Sequence, residues 1–277
     1  MVSLVSLVAL VGVACSAAEP GVTATESRQG AGGGLITSDT TNGGDEREYP
    51  VIDGVVDFGE RGPAHPDYDG FLTAAFGDVQ AFWAEAFPET YGLPWTPLEG
   101  GIYAAYPERE APIPGCGKET STYQDVYEGT AFYCRLGDFM AYDDEQSLPY
   151  LVETLGREAV AIVLAHEFGH AVQFRADEFR QPTILKEQQA DCFAGAWAAH
   201  AASGASDVIT LDDTAIRGGL VAMIQIADPI MEDGTNPLDS ANPHGTGFDR
   251  VGAFQDGFEG GPERCKSFFT ENRIDSL

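Results

Sequence analysis

An uninterrupted apolar run, AVAIVLA, stands directly before His166 in the second half of the chain. A helix that is apolar on nearly all of its sides is normally buried at the centre of a domain. The pattern therefore predicts a central buried helix over residues 151 to about 174, and the polar sequence HEFGH emerges from the core in its second half.

Apolar residues at helical spacing also occur elsewhere in the chain. In residues 71–87 they place Phe71, Ala75 and Val79 on one side, and Pro88 is expected to end that helix. Further helices are predicted from the N-cap Thr183 to Ser203-Gly204, over residues 211 to about 227, and over residues 248–258.

Strand patterns are confined to the first 150 residues. The segments GIYAAYP (101–107) and TAFYCRLGDFMAYD (130–143) are predicted strands, and a short strand or extended lead-in begins at Tyr49. Residues 112–129 form a predicted polar loop between the strands. The predicted fold class is therefore α+β, with a small mixed N-terminal strand and helix part followed by a mainly helical C-terminal half.

The composition is that of a folded protein with a strongly acidic surface. Its 277 residues are 43% hydrophobic and 10% aromatic, which is enough for a core. The 44 acidic against 15 basic residues give a formal net charge of -29, which repels nucleic-acid phosphates and anionic lipid headgroups. Nucleic acid is therefore excluded as a partner, and the charge is interpreted as a solvated acidic surface.

The N-terminus carries a targeting pattern. MVSLVSLVALVGVA is too short to span a bilayer and has the length of an export-signal core, so residues 1–18 are predicted as a signal or lipoprotein leader. Cleavage falls either before Cys15, leaving a lipid-modifiable cysteine, or after Ala18. Residues 19–47 are a predicted flexible linker and 48–277 the folded domain. The expected location is extracellular or in the cell envelope, with membrane contact only through a lipid anchor at Cys15.

The remaining four cysteines are an even number, which in an exported protein predicts two disulfides. Three pairings are open. Cys116 with Cys134 is favoured, because a loop of that size closes readily around a hairpin, and this leaves Cys192 to pair with Cys265.

The sequence HEFGH contains two histidines four positions apart. On a helix such residues lie one above the other, so His166 and His170 can reach one metal ion while Glu167 stands beside them. This His-Glu-x-x-His pattern is the signature of zinc peptidases. Zinc in hydrolases usually takes three protein ligands and keeps a fourth position for water, so another ligand must come from elsewhere in the chain.

A second predicted helix offers the third ligand. Glu187 and Asp191 lie four residues apart and face the same way. The small residues that continue along this face are Ala194, Gly195 and Ala198. Small side chains let this helix approach its neighbour closely, which would bring Glu187 to the metal. Asp191, one turn on, is then expected to accept a hydrogen bond from the free ring nitrogen of a ligating histidine.

A family resemblance rests on these same two segments. HEFGHAVQF followed by KEQQADCFAGAWA resembles the bacterial family of putative neutral zinc metallopeptidases, which pairs HExGHxxQ with an ExQADCxAGxWA helix. The likeness extends to the strand end near Asp143 and to HGT at His244, and it covers roughly residues 71 to 269. It implies a zincin-like metallopeptidase domain with an active site similar to that of gluzincins of the thermolysin type, with two site-bearing helices and an edge strand that aligns a peptide.

The resemblance and the residue types together predict one catalytic Zn2+ ion, held by His166, His170 and Glu187. Zinc lowers the pKa of its bound water and polarises the scissile carbonyl. Glu167 is the expected general base, which takes the proton of this zinc-activated water and returns it to the leaving amine.

A donor to the developing oxyanion is also expected. His244 is the candidate catalytic residue for this role, with Tyr142 as a second candidate. His65, in a proline-rich segment, and His200, near the end of the second helix, are interpreted as non-catalytic.

These observations favour an exported zinc-dependent peptidase that acts on peptide or protein substrates. The alternative is a catalytically inactive, zinc-containing binding or scaffold protein of the cell envelope with the same fold. The intact Glu167 favours the enzyme, because a purely structural zinc site has no use for an uncoordinated carboxylate beside its ligands. An intracellular metal-binding protein is disfavoured by the leader and the even cysteine count. Substrate specificity and oligomeric state do not follow from the sequence.

Overall fold

The helices and strands form a mixed α/β fold that is mainly helical. The computed structural model describes residues 47–127, 130–179, 183–225 and 245–266. Within these ranges the helices are α1 (Asp69–Tyr91), α2 (Tyr123–Tyr127), α3 (Ser147–Leu155), α4 (Arg157–Arg175), α5 (Thr183–Ala202), α6 (Asp213–Gln225) and α7 (Gly247–Lys266). The strands are β1 (Gly101–Ala105), β2 (Ile113–Pro114), β3 (Thr120–Ser121), β4 (Ala131–Cys134) and β5 (Phe139–Asp143). The predicted mixture of strands and helix before a helical second half is confirmed at this level.

Helix α4 is the buried centre of the fold. Each residue from Ala159 to Ala165 exposes 3% of its surface or less. The helix packs against α1, α3, α5 and α6, so its apolar run is covered on several sides at once. The prediction of a central helix that is apolar on nearly all sides is confirmed.

The beginning of that helix differs from the prediction. A single helix from residue 151 was expected, but the chain forms α3 and α4 with a break at Gly156. This glycine has φ 91° and ψ 153°, a combination that side-chain-bearing residues rarely adopt. Apolar periodicity continues across the break, which is why the sequence pattern did not reveal it.

Helix α1 also runs further than expected. It was predicted to end before Pro88, but it continues to Tyr91 and ends at Gly92 in the left-handed conformation, with φ 67°. The Gly92 amide donates to the Pro88 carbonyl at 2.9 Å. Proline removes only its own amide donor, and the turn that follows it can still close.

The main sheet has the strand order β1-β5-β4. Strand β5 pairs in parallel with β1 and antiparallel with β4, which leaves β4 at one edge and against α4. The predicted single strand over 130–143 is therefore a hairpin, and its turn places Asp138 at φ 48°. The expected lead-in strand after Tyr49 is reduced to one bridge, between Asp57 and Tyr103.

Both favoured disulfides are present. Cys116 is bonded to Cys134, and Cys192 to Cys265. The first ties the predicted polar loop, which contains β2, β3 and α2, to the end of β4. The second joins α5 to α7. These covalent links fix two of the segments that surround the buried helix.

The predicted boundaries of the leader, the linker and the folded domain stay predictions. The proposed leader and nearly all of the proposed linker lie outside the described residues, as does the end of the helix predicted to reach about residue 227. Arg47, which was assigned to the linker, donates a hydrogen bond to the Val208 carbonyl at 2.7 Å. In the part of the chain that the structure describes, no helix is both long and apolar enough to cross a bilayer.

Helices α5 and α7 approach each other through glycines. A Cβ atom on Gly195 would lie 2.0 Å from the Phe254 carbonyl oxygen, and one on Gly257 would lie 1.8 Å from the Cys192 carbonyl oxygen. The sequence assigned Gly195 to the contact with the histidine-bearing helix, but the residue faces α7 instead. Two glycines in register thus allow backbone-to-backbone packing.

Replacing Gly257 by Ala is expected to lower the free energy of unfolding by about 1–3 kcal/mol, because the added methyl group must push two helices apart. Gly252→Ala on the same helix is the matched control, since nothing lies within 4 Å of a Cβ atom there. The control should gain about 0.5–1 kcal/mol through helix propensity. Urea denaturation measures both, and equal effects of the two changes would contradict the packing argument.

Candidate metal centre

Two imidazoles of α4 face the same side of the helix, one turn apart. The ring centroids of His166 and His170 are 4.9 Å apart and the rings are nearly perpendicular, at 84°. His166 exposes only 4% of its surface. The predicted pair therefore emerges from the core as a partly enclosed site.

Glu187 of α5 completes a group of three. Its Oε2 lies 3.2 Å from Nε2 of His166 and 3.5 Å from Nε2 of His170. The three atoms lie within 4.8 Å of one another. Ligand atoms about 2.0–2.1 Å from a tetrahedral zinc ion are about 3.3 Å apart, close to the two spacings from Glu187 to the histidines. The donor set of two imidazoles and a carboxylate, at this spacing, fits a zinc ion.

A close contact between α4 and α5 positions the third ligand. A Cβ atom on Gly169, between the two histidines, would lie 2.8 Å from Cα of Ala190. The glycine of HEFGH therefore allows α5 to cross directly over the metal-binding turn of α4. Since Glu187 lies one turn before Ala190, the same crossing brings its carboxylate to the histidines.

The second ring nitrogen of each histidine has its own partner. His166 Nδ1 donates to Asp191 Oδ1 at 2.7 Å, as predicted for this carboxylate. His170 Nδ1 donates to Gln173 Oε1 at 3.0 Å, and the Gln173 amide donates in turn to the Lys186 carbonyl at 2.6 Å. Both Nε2 atoms therefore remain free to bind a metal, and both rings are fixed in orientation.

Arg250 of α7 lies behind Asp191 and is itself buried. Its Nε and Nη2 donate to the two carboxylate oxygens of Asp191 at 3.0 and 2.8 Å, and the side chains are 1% and 0% exposed. Thr246 and Asp249 bond reciprocally at the start of α7, in the pattern of a capping box. The cap fixes the first turn of the helix, which aims Arg250 at the carboxylate.

The electrostatics of the site favour a bound cation. Burial lowers the pKa of His166, but the Asp191 carboxylate and the hydrogen bond that His166 donates to Glu187 outweigh it and raise the pKa to about 10. Burial raises the pKa of Glu187, yet His170 and His166 hold it well below its usual range. Burial also raises the pKa of Asp191, but Arg250 and His166 more than offset this and lower it. Both carboxylates are therefore ionised at neutral pH, and protons compete with a metal ion for the imidazoles.

Glu167 differs from the other two carboxylates of the site. Within the described residues its side chain accepts no hydrogen bond and forms no ion pair, whereas Glu187 and Asp191 are both engaged. It is partly exposed, and its charge acts on both His170 and Arg250. Glu167 is thus a carboxylate beside the histidines whose lone pairs are available.

The remaining predicted residues lie elsewhere. His244 falls outside the described residues. Tyr142 is 1% exposed, so a substrate carbonyl has no access to its hydroxyl. Its candidacy as an oxyanion donor is wrong on that ground. Burial, with the Asp144 and Asp69 carboxylates nearby, raises the pKa of the Tyr142 hydroxyl well above its usual range. His65 stacks on Tyr68 in the same polar region.

Two supporting residues were not assigned a role from the sequence. Gln173 stands in the quoted HExGHxxQ motif, one turn after the second histidine, and that spacing was the available signal. For Arg250 the signal was the T-x-x-D capping pattern directly before it. Its pairing with Asp191 is a contact between residues 59 apart, which no local pattern encodes.

A His-His-Glu centre on two adjacent helices, with a free glutamate between the histidines, defines the class of HExxH metalloproteins. The chain belongs to the family described as "Putative neutral zinc metallopeptidase", whose profile matches residues 114–268. Similar proteins are the uncharacterized proteins Rv2575 of Mycobacterium tuberculosis H37Rv and Mb2605 of Mycobacterium bovis. Each is 31% identical over 222 residues, covering 71% of this chain and 69% of the relative. No solved structure shows significant similarity to the chain. The family description implies zinc as cofactor and peptides or proteins as substrates.

Replacing Gln173 by Leu is expected to lower zinc affinity about 10–100-fold, because the His170 ring loses the acceptor that orients it. Competition with a chromogenic chelator measures the affinity. Gln255→Leu is the matched control, since Gln255 is exposed on α7 and its one side-chain bond to a described residue is with Glu259. An unchanged zinc affinity in the Gln173 variant would show that the hydrogen bond does not hold the ligand.

Proposed function

We propose that this protein is an exported zinc-dependent peptidase that hydrolyses peptide bonds. The metal ligands in this proposal are His166, His170 and Glu187, and Glu167 is the general base. The observation that carries it is the spacing of the three ligand atoms, within 4.8 Å of one another, beside a carboxylate that has no other partner among the described residues. A glutamate from a second helix as third ligand corresponds to a zincin-like domain of the gluzincin type.

In this proposal each side chain of the site has a separate role in catalysis. A zinc ion held by the three ligands would supply a Lewis acid for the attacking water and for the scissile carbonyl. Glu167 takes the proton of the attacking water and delivers it to the leaving amine, which requires a carboxylate that is not already bonded. Asp191 and Gln173 keep the two imidazoles in one orientation. His244 remains the proposed donor to the oxyanion.

Export is supported by two independent features. The apolar leader before Cys15 has the length of an export signal. The two disulfides are of a kind that persists in oxidising compartments outside the cytosol. A lipid anchor at Cys15 and full secretion after cleavage at Ala18 are the two forms of this proposal, and the mass of the mature N-terminus separates them.

The second candidate is a cell-envelope scaffold or binding protein that keeps the zinc and lacks catalysis. It would need the same ligands, since Glu187, Asp191 and Arg250 have roles in holding a metal whether or not a peptide is cut. The carboxylate of Glu167, which has no partner among the described residues, favours the enzyme, because a scaffold has no need of an unbonded carboxylate beside the metal ligands.

Two measurements on the purified protein test the proposal. The zinc-loaded protein is expected to cleave casein or a peptide library at neutral pH, to lose that activity on chelation and to regain it with zinc. Glu187→Ala is expected to lose stoichiometric zinc, because two imidazoles remain of a three-ligand site. Absence of cleavage by a zinc-loaded protein would favour the scaffold, and full zinc occupancy in the Glu187 variant would remove this residue from the ligand set.

A further inference from the structure

Two cations lie over one aromatic ring beside the metal centre. The guanidinium carbon of Arg135 is 5.8 Å from the ring centroid of Phe179, and Nζ of Lys186 is 4.6 Å from the same centroid. The Phe179 ring is 6.1 Å from the ring of His170. Arg135 directly follows edge strand β4, and Lys186 directly precedes the ligand Glu187. Elements that form the site thus bring two positive charges within 6 Å of the Phe179 ring, which itself lies close to His170.

Neither cation has an anionic partner in the described part of the chain. The ring contact is the one side-chain interaction that each of them makes there. The carboxylates nearest to them in sequence are engaged elsewhere: Asp138 binds Arg175, and Glu187 faces the two histidines.

This arrangement has an electrostatic cost that an anion would relieve. Two like charges over one ring repel each other, and the attraction of a ring face for a cation does not neutralise the charge. A carboxylate placed between an Arg and a Lys gains charge-assisted hydrogen bonds from both. The pair is therefore able to bind an anionic group that the described residues do not supply.

The distance between the rings of His170 and Phe179 defines which part of a substrate can reach Arg135 and Lys186. An extended peptide advances about 3.3 Å per residue. A side chain one or two residues from the bond being cut therefore reaches a ring 6.1 Å from a ligand imidazole. Edge strand β4 leads to Arg135, so a peptide lying along that edge would pass the same group.

We propose that Arg135, Lys186 and Phe179 form a substrate subsite for a carboxylate located one or two residues from the cleaved bond. The carboxylate is either the side chain of Asp or Glu or the C-terminus of a short peptide, since both present the same group. This inference rests on the proposed peptidase function. It assigns a substrate class to a protein whose net charge of -29 would otherwise disfavour acidic peptides.

The test uses fluorogenic peptides of neutral residues with an amidated C-terminus. Each of the three positions on either side of the cleaved bond is in turn Glu, Gln or Lys, and a further arm compares free and amidated C-termini. Zinc-loaded wild type is compared with Arg135→Gln/Lys186→Gln and with Arg217→Gln. Arg217 is the matched control because its side chain is 78% exposed on α6.

The wild type is expected to show a kcat/KM about tenfold higher for Glu than for Gln at one of these positions, or for a free C-terminus over an amidated one. The double variant should reduce that ratio to within about twofold and leave the Gln peptide nearly unaffected, whereas Arg217→Gln should keep the ratio. Equal rates for Glu and Gln peptides, a preference for Lys, or a preference that survives in the double variant would overturn the subsite.

A binding measurement keeps this result separate from the proposed function. Zinc-loaded Glu167→Gln, with and without the Arg135 and Lys186 substitutions, is titrated with the same labelled peptides by fluorescence anisotropy. Tighter binding of the Glu or free-terminus peptide, lost with the two substitutions, supports the subsite even if no peptide is cut. Equal affinities for acidic and neutral peptides overturn it even if peptides are cut.

Discussion

Replacing Glu167 by Gln is expected to lower kcat for peptide hydrolysis by about 10²–10⁴-fold, the usual contribution of a positioned general base. Glutamine preserves the size and the hydrogen-bonding reach of the side chain but cannot accept the proton of the attacking water. Zinc stoichiometry should be unchanged, because the ligands His166, His170 and Glu187 are untouched. The loss should appear in kcat more than in KM, since binding of the peptide does not need the base.

The measurement is steady-state kinetics with zinc-loaded protein, accompanied by metal analysis of the same samples. Glu153→Gln is the control, because Glu153 is exposed on α3 and a change of charge there tests whether the effect is local. A Glu167 variant that cuts as fast as the wild type would assign proton transfer to another group. If zinc is lost as well, the residue contributes to metal binding and the kinetic comparison has no meaning.

Replacing Arg250 by Met is expected to lower the free energy of unfolding of the zinc-free protein by about 3–5 kcal/mol. The change removes the guanidinium that binds both oxygens of Asp191, and it leaves this buried carboxylate with His166 as its remaining positive partner among the described residues. Urea denaturation measures the loss, and zinc must be absent because a bound metal adds its own stability. Arg264→Met, beyond the kink at Gly261, should cost less than about 1 kcal/mol, since its pair with Asp256 is partly exposed.

A double variant separates stability from metal binding. Asp191→Leu together with Arg250→Met removes both charges, so much of the lost stability should return. Zinc affinity of the double variant should fall below that of the wild type, because His166 then has no acceptor for Nδ1. Arg250→Met with stability within about 1 kcal/mol of the wild type would mean that Asp191 is neutralised by another route.

The core of the candidate site was predictable because local spacing encodes it. His166 and His170 lie one helical turn apart, and so do Glu187 and Asp191, so each pair shares a face once the helices are recognised. Helix α4 was recognised because its apolar run is long enough to be buried on all sides. The two disulfides followed from the even number of cysteines and the size of the loops that they close.

What was missed depends on backbone conformation or on contacts distant in sequence. The break at Gly156 results from the φ and ψ angles of this single residue, and the apolar pattern is the same on both sides of it. The role of Gly195 was misassigned because a small residue shows that a close approach exists without showing which neighbour makes it. The pairing of Arg250 with Asp191 and the stacking of Arg135 on Phe179 each join separate elements, and only the fold brings them together.

The bond between Cys192 and Cys265 makes the segment that carries Arg250 a covalent ring, with a sequence separation of 73 residues. In the unfolded chain this ring limits how far Arg250 can move from Asp191, the residue next to Cys192. By the chain-entropy relation, closing a loop of this length favours the folded state by about 4 kcal/mol. Assembly of the ion pair behind the metal ligands therefore depends on thiol oxidation, although neither Arg250 nor Asp191 takes part in redox chemistry.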